Sequence, residues 1–161
     1  VVRFERLFGE VDVEADAHQV ADDYVIGLGH YGDLFPGARS LLEELSDVAS
    51  LALVSNGIGR VVRDKVERLD LARYFDAIVI SGEIGIAKPH RGFFDITFGR
   101  LGQPDKATTL MIGDSLASDI KGGVDYGIDT CWYAPDTDPQ PTQAPTYRVG
   151  GLAEIPAVVR G

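Results

Sequence analysis

Four short apolar runs, each closed by a turn and separated by stretches of helical spacing, constrain this chain more than any other feature. The runs are SLALVSNG (residues 50–57), FDAIVIS (75–81), ATTLMIGD (107–114) and IDTCWYA (128–134). Each is too short for a helix of ordinary length and is rich in the residues that suit a strand buried on both faces. Between them the apolar spacing changes to three and four. Leu41, Leu42 and Leu45 share one helical face, as do Val62, Val66 and Leu69, and then Phe94 and Phe98, with Gly102 as a stop. SLASDIKGGVDYG (115–127) reads as a further helix, and Val20, Tyr24 and Leu28 share one apolar face of an earlier one. A short strand at Tyr147–Val149 and a helix from Leu152 close the chain after a Pro-rich loop at residues 135–145. Strands alternating with helices predict a Rossmann-like parallel α/β sheet. In such sheets ligands bind beyond the carboxyl ends of the strands. Ser55-Asn56-Gly57, the Lys88 loop and Gly113-Asp114 all fall there, so their convergence follows from topology.

Charge and cysteine content remove several function classes. A net charge of −10 over 161 residues opposes a nucleic-acid polymer as partner, which needs a basic face. A small phosphorylated ligand remains compatible, because a bound cation and a few local positive groups invert the field inside a pocket. No apolar stretch approaches the roughly 20 residues of a membrane-spanning helix, and VVRFERLFGE lacks the pattern of a signal peptide. The single cysteine, Cys131, lies in an apolar run where burial is expected and suits a reducing compartment, so a cytoplasmic location is expected.

Taken residue by residue, the strand ends allow two readings each. Asp114 follows four apolar residues and either holds a cation or, with Ser115, caps the next helix. Mg²⁺ is the cation that takes few carboxylate oxygens, keeps waters and joins a phosphate. Asp119 falls in the first turn of that helix, where the dipole favours an acid whatever its role. The Ser55 hydroxyl, the Asn56 amide and the Gly57 backbone form either a phosphoryl cradle or a plain turn. Lys88 precedes Pro89 in nearly uncharged surroundings, an unusual place for a solvated lysine, and His90 is positioned to cap the helix that follows.

Together LVSNG, GIAKP and MIGDSLASDIKGG resemble, in order, spacing and strand-end placement, three successive motifs of the haloacid dehalogenase-like hydrolases. The resemblance runs from about Phe35 to the end. Through FDAIVISGEIGIAKPHRGFF, GIDTCWYA and APTYRVGGLAEI it is nearest to the branch of pyrimidine 5′-nucleotidases. It implies that Ser55, Asn56, Gly57 and Lys88 surround the phosphoryl group of a small phosphate monoester. Lys88 would neutralise that group and the attacking carboxylate. Asp114 would hold Mg²⁺, and Asp119 would support the metal shell or orient Lys88. Metal-free dehalogenases of the same superfamily usually carry Ser-Asn where this chain has Gly113-Asp114, which favours phosphoryl transfer over 2-haloacid chemistry. A catalytically silent phosphate-binding or regulatory module is the other alternative.

The resemblance also predicts an Asp-x-Asp strand that the sequence does not contain. DVEAD (12–16) and the pair at 22–23 lie in polar, helical surroundings. Residues 1–34 instead resemble the remnant of a helical cap, and 35–161 the α/β core without its first strand. That strand would be central, between residues 51–55 and 109–113, so its loss predicts a slotted sheet with unpaired inner edges. A partial, inactive form of a longer enzyme is the resulting expectation. Its sheet would be open to completion by the missing segment or by a second copy in a homo-oligomer.

Overall fold

The computed structural model describes residues 1–11, 15–135 and 144–160. In chain order the elements are α1 (Val2–Val11), α2 (Ala17–His30), α3 (Ala38–Ser46), β1 (Ala52–Ser55), α4 (Gly59–Arg68), β2 (Ala77–Ile80) and α5 (Ser81–Ile84). Then come α6 (Arg91–Arg100), β3 (Leu110–Gly113), a π-helical turn at Leu116–Ile120 running into α7 (Lys121–Tyr126), β4 (Asp129–Tyr133), β5 (Tyr147–Val149) and α8 (Ile155–Arg160). Every strand pairing is parallel. The Pro-rich loop falls largely outside the described residues. Among the described residues no helix is long and apolar enough to cross a membrane.

Burial on both faces explains the short, continuous apolar strands. Val54, Val79 and Met111 turn to one face and meet Phe93, Phe94 and Phe98 of α6 and Tyr126 of α7. Their sequence neighbours Leu53 and Ile78 turn to the other face, against Val66 of α4 and Tyr74. Leu110, Ile112 and Cys131 share that second face with Leu45 of α3 and Ile155 of α8. Successive side chains of a strand point to opposite faces, so two helical layers need apolar residues at every position between them. Gly102, at φ +77, ends α6 as the sequence predicts.

The sheet is divided. β1 pairs with β2, and β3 with β4 and then β5, while β1 and β3 do not pair with each other. Between them runs a groove of about 610 Å³, lined by Ala52 and Val54 of β1, Leu110 and Ile112 of β3, and Phe94 and Phe98 of α6. This is the interrupted centre expected from the sequence.

Two local expectations change. The predicted face of α2, through Val20, Tyr24 and Leu28, is not the one most deeply buried: Ala17, Ala21 and Gly29 are. Those small residues allow close approach, and a Cβ on Gly29 would lie 2.9 Å from the Asp64 carboxylate of α4. Tyr24, 53% exposed, meets the Phe4 ring of α1 at 5.6 Å instead. The segment after β2, read as a loop, begins with the single turn α5. There Glu83 receives two hydrogen bonds from Arg63 of α4, at 2.7 and 2.8 Å.

Candidate active site

Lys88 is the centre of the site. It is 7% exposed, far from the solvated lysine of an ordinary loop. Its Nζ donates to the Val54 carbonyl of β1 at 2.9 Å and to Asp119 Oδ1 at 2.8 Å. Val54 and Asp119 follow from different halves of the divided sheet, so one ammonium ties the two halves together at their carboxyl ends. An ammonium has three donors. Among the described residues two of them have partners.

Asp119 is held as closely as its partner. Its Oδ2 accepts from the Ser115 N–H at 3.1 Å, and its Oδ1 also accepts from the Ser118 hydroxyl at 3.2 Å. The π-helical turn at Leu116–Ile120 carries Asp119 inwards to 5% exposure. Single π-turns of this kind often mark functional positions. Close packing of β3 against this turn demands Gly113, where a Cβ would stand 2.2 Å from Asp119 Oδ2. Asp119 is thus the carboxylate that the structure places against the Lys88 ammonium.

Asp114 differs in every respect. It is exposed, and among the described residues no side-chain hydrogen bond or ion pair holds its carboxylate. Its backbone carbonyl accepts from Trp132 Nε1 at 3.0 Å, which fixes the turn from β4. Capping of the following turn falls to Ser115, whose hydroxyl accepts from the Ser118 N–H. An unengaged carboxylate beside a buried lysine–aspartate pair fits one protein ligand of a hydrated Mg²⁺. Among the described residues no group of three or more His, Cys, Asp or Glu could hold an ion by themselves.

At the end of β1 the Ser55 hydroxyl accepts from the Gly57 N–H at 3.1 Å, leaving its own hydrogen free to donate. A Cβ on Gly57 would lie 2.7 Å from Val62, so the tight turn needs glycine. The Asn56 side chain, expected in the phosphoryl cradle, instead bonds the Lys88 backbone. His90 caps α6, accepting from the Gly92 N–H at 3.0 Å. Cys131 is fully buried, and burial pushes its thiol pKa up. Sequence reasoning passed over Trp132 and the Val54 carbonyl, whose partners are distant in sequence, and Ser118, whose hydroxyl reaches the neighbouring Asp119 only because of the π-helical turn.

Comparison with known proteins places the chain in a family. The family model described as haloacid dehalogenase-like hydrolase matches residues 2–133. The chain is 35% identical over 154 residues to pyrimidine 5′-nucleotidase YjjG of Escherichia coli (strain K12), covering 95% of this chain and 68% of that protein. It is 37% identical over 155 residues to pyrimidine 5′-nucleotidase PynA of Streptococcus pneumoniae, covering 95% and 65%. Among solved structures, the magnesium-bound HAD-hydrolase YfnB of Bacillus subtilis superposes with a TM-score of 0.89 at 34% identity, over 99% of this chain and 70% of that one. The chain spans about two thirds of the length of these relatives. By motif, fold and similarity, it belongs to the haloacid dehalogenase-like hydrolase family.

Proposed function

We propose that this chain supplies the phosphate- and metal-holding part of a Mg²⁺-dependent phosphatase acting on a small phosphate monoester, a pyrimidine nucleoside 5′-monophosphate in the first instance. The observation that carries this reading is the buried Lys88 ammonium, which among the described residues bonds Val54 and Asp119 and keeps one donor spare. A pocket built to hold a positive charge while leaving it a spare bond suits an anion. The names of YjjG and PynA support the choice of nucleotide.

In this reading the Ser55 hydroxyl donates to a phosphoryl oxygen and Lys88 neutralises the charge that builds on that group. Asp119 keeps the ammonium aimed by pairing with it. Asp114 would hold Mg²⁺, which when bound supplies Lewis-acid polarisation of a phosphoryl oxygen. The attacking carboxylate belongs, on this proposal, to an additional strand filling the groove between β1 and β3. Residues 1–34 form part of a helical cap over the core. The 161 residues alone then bind phosphate weakly and turn over negligibly.

The test is phosphate release from uridine and thymidine 5′-monophosphate, set against phosphoserine and sugar phosphates. Turnover of the nucleotides by the native protein, silenced by EDTA, is the expected result. Brisk turnover by the purified 161 residues alone, with no added segment, would overturn the assignment of the nucleophile to another strand.

A further inference from the structure

Asn56 makes a reciprocal pair of hydrogen bonds that neither a turn nor a phosphate cradle requires. Its Nδ2 donates to the Lys88 carbonyl at 2.8 Å, and its Oδ1 accepts from the Lys88 N–H at 2.8 Å, across 32 residues of sequence. We propose that Asn56 is a positioning residue, which places the Lys88 ammonium by clamping the Lys88 peptide to the end of β1. The inference rests on the phosphatase reading of the site and adds to it a residue that acts only through Lys88.

The chemistry of the amide explains the choice of side chain. A carboxamide presents one donor and one acceptor in a plane, as a peptide unit does, so it pairs with a backbone as a neighbouring strand would. β1 thereby grips Lys88 at both ends: Asn56 holds the peptide, and the Val54 carbonyl, two residues earlier, holds Nζ. Between those points lies a flexible four-carbon stem, which would otherwise lose precision and entropy in reaching a fixed anion. Asp119 fixes the ammonium from the far side. The rival role for Asn56 is direct contact with a phosphoryl oxygen. Its amide oxygen and one amide hydrogen are already committed to Lys88.

The experiment follows the Lys88 ammonium resonance in ¹⁵N-lysine-labelled native protein, assigned by its loss in Lys88→Arg. Binding of inorganic phosphate in the presence of Mg²⁺ is measured in parallel by calorimetry. Asn56→Ala removes both bonds. Asn56→Asp keeps an acceptor for the Lys88 N–H but has no donor for the carbonyl, and it decides the matter should the alanine variant not fold. The expected result is a shifted or exchange-broadened Lys88 resonance before any phosphate is added. Phosphate affinity then falls about tenfold, roughly what one net hydrogen bond is worth. An unmoved Lys88 resonance overturns the proposal, and with lost phosphate affinity it makes Asn56 a direct ligand. A moved resonance with unchanged affinity overturns it too, by making the clamp purely structural. Failure of the phosphatase reading is distinguishable, because unaltered protein would then not bind phosphate while the resonance comparison still stands.

Discussion

Replacing Gly113 by alanine should disable the lysine–aspartate pair by crowding Asp119 from the end of β3. A Cβ there would stand 2.2 Å from Asp119 Oδ2, 2.5 Å from its Cγ and 2.6 Å from its Cβ. Ordinary contact needs about 1 Å more, and the atoms in the way belong to a short side chain on a tight turn, with little freedom to swing aside. A movement of about 1 Å is larger than the margin between the 2.8 Å Lys88–Asp119 contact and the limit of a useful hydrogen bond. Removing one partner of a buried ion pair costs roughly 3–5 kcal/mol, and overpacking roughly 1–3 kcal/mol. Because the carboxylate is displaced and not deleted, ~3 kcal/mol is a fair expectation. In a domain of this size that lowers the melting temperature by roughly 6–12 °C. Urea titration and thermal melting monitored by circular dichroism measure it. The decisive comparison repeats Gly113→Ala in an Asp119→Gly background, where all three crowding atoms are gone. There it should cost under ~1 kcal/mol, a strong coupling between the two sites. If the two single effects simply add, the crowding argument is wrong.

Lys88→Met should cost roughly 3–5 kcal/mol by leaving the Asp119 carboxylate buried without its cation, whereas Lys88→Met combined with Asp119→Leu should cost less than either change alone; chemical denaturation of the three variants checks this. Cys131 should resist a thiol-specific disulfide reagent in the folded protein and react fully in urea, since it is 0% exposed. Burial, with a smaller push from the Glu154 charge, raises its pKa above the ordinary 9.0. The unfolded chain therefore ionises first, so the thiol's contribution to stability is complete below pH 9.0 and is lost as pH rises through the raised value; Cys131→Ala should flatten that alkaline decline.

The strands were legible because each is buried on both faces, so Leu53 and Val54, or Ile78 and Val79, are apolar in succession although they face different layers. The stops were legible for local reasons: Gly102 takes a positive φ, and His90 caps with its own ring. The face of α2 was misread because large residues were weighted over small ones. Packing against α4 selects Ala21 and Gly29 for close approach, while Tyr24 finds its partner on α1. Asp114, Asp119, Lys88 and Ser55 could be picked out by type and strand-end position. Their distinct settings could not, because these depend on which oxygens are engaged: among the described residues, both of Asp119 and neither of Asp114. Asn56 shows the same limit, since Ser-Asn-Gly after a strand looks like a turn and its partner lies 32 residues away.

We propose that the Asp114 carboxylate and the Lys88 ammonium, each with bonding capacity left unused among the described residues, form one site for a metal and a phosphate together. Calorimetric titration of inorganic phosphate, with Mg²⁺ and again with EDTA, on the unaltered protein and on Asp114→Ala tests it most directly. The account predicts phosphate binding that requires Mg²⁺ and disappears in Asp114→Ala. Equal phosphate binding in EDTA, or metal-independent halide release from a 2-haloacid, would contradict it.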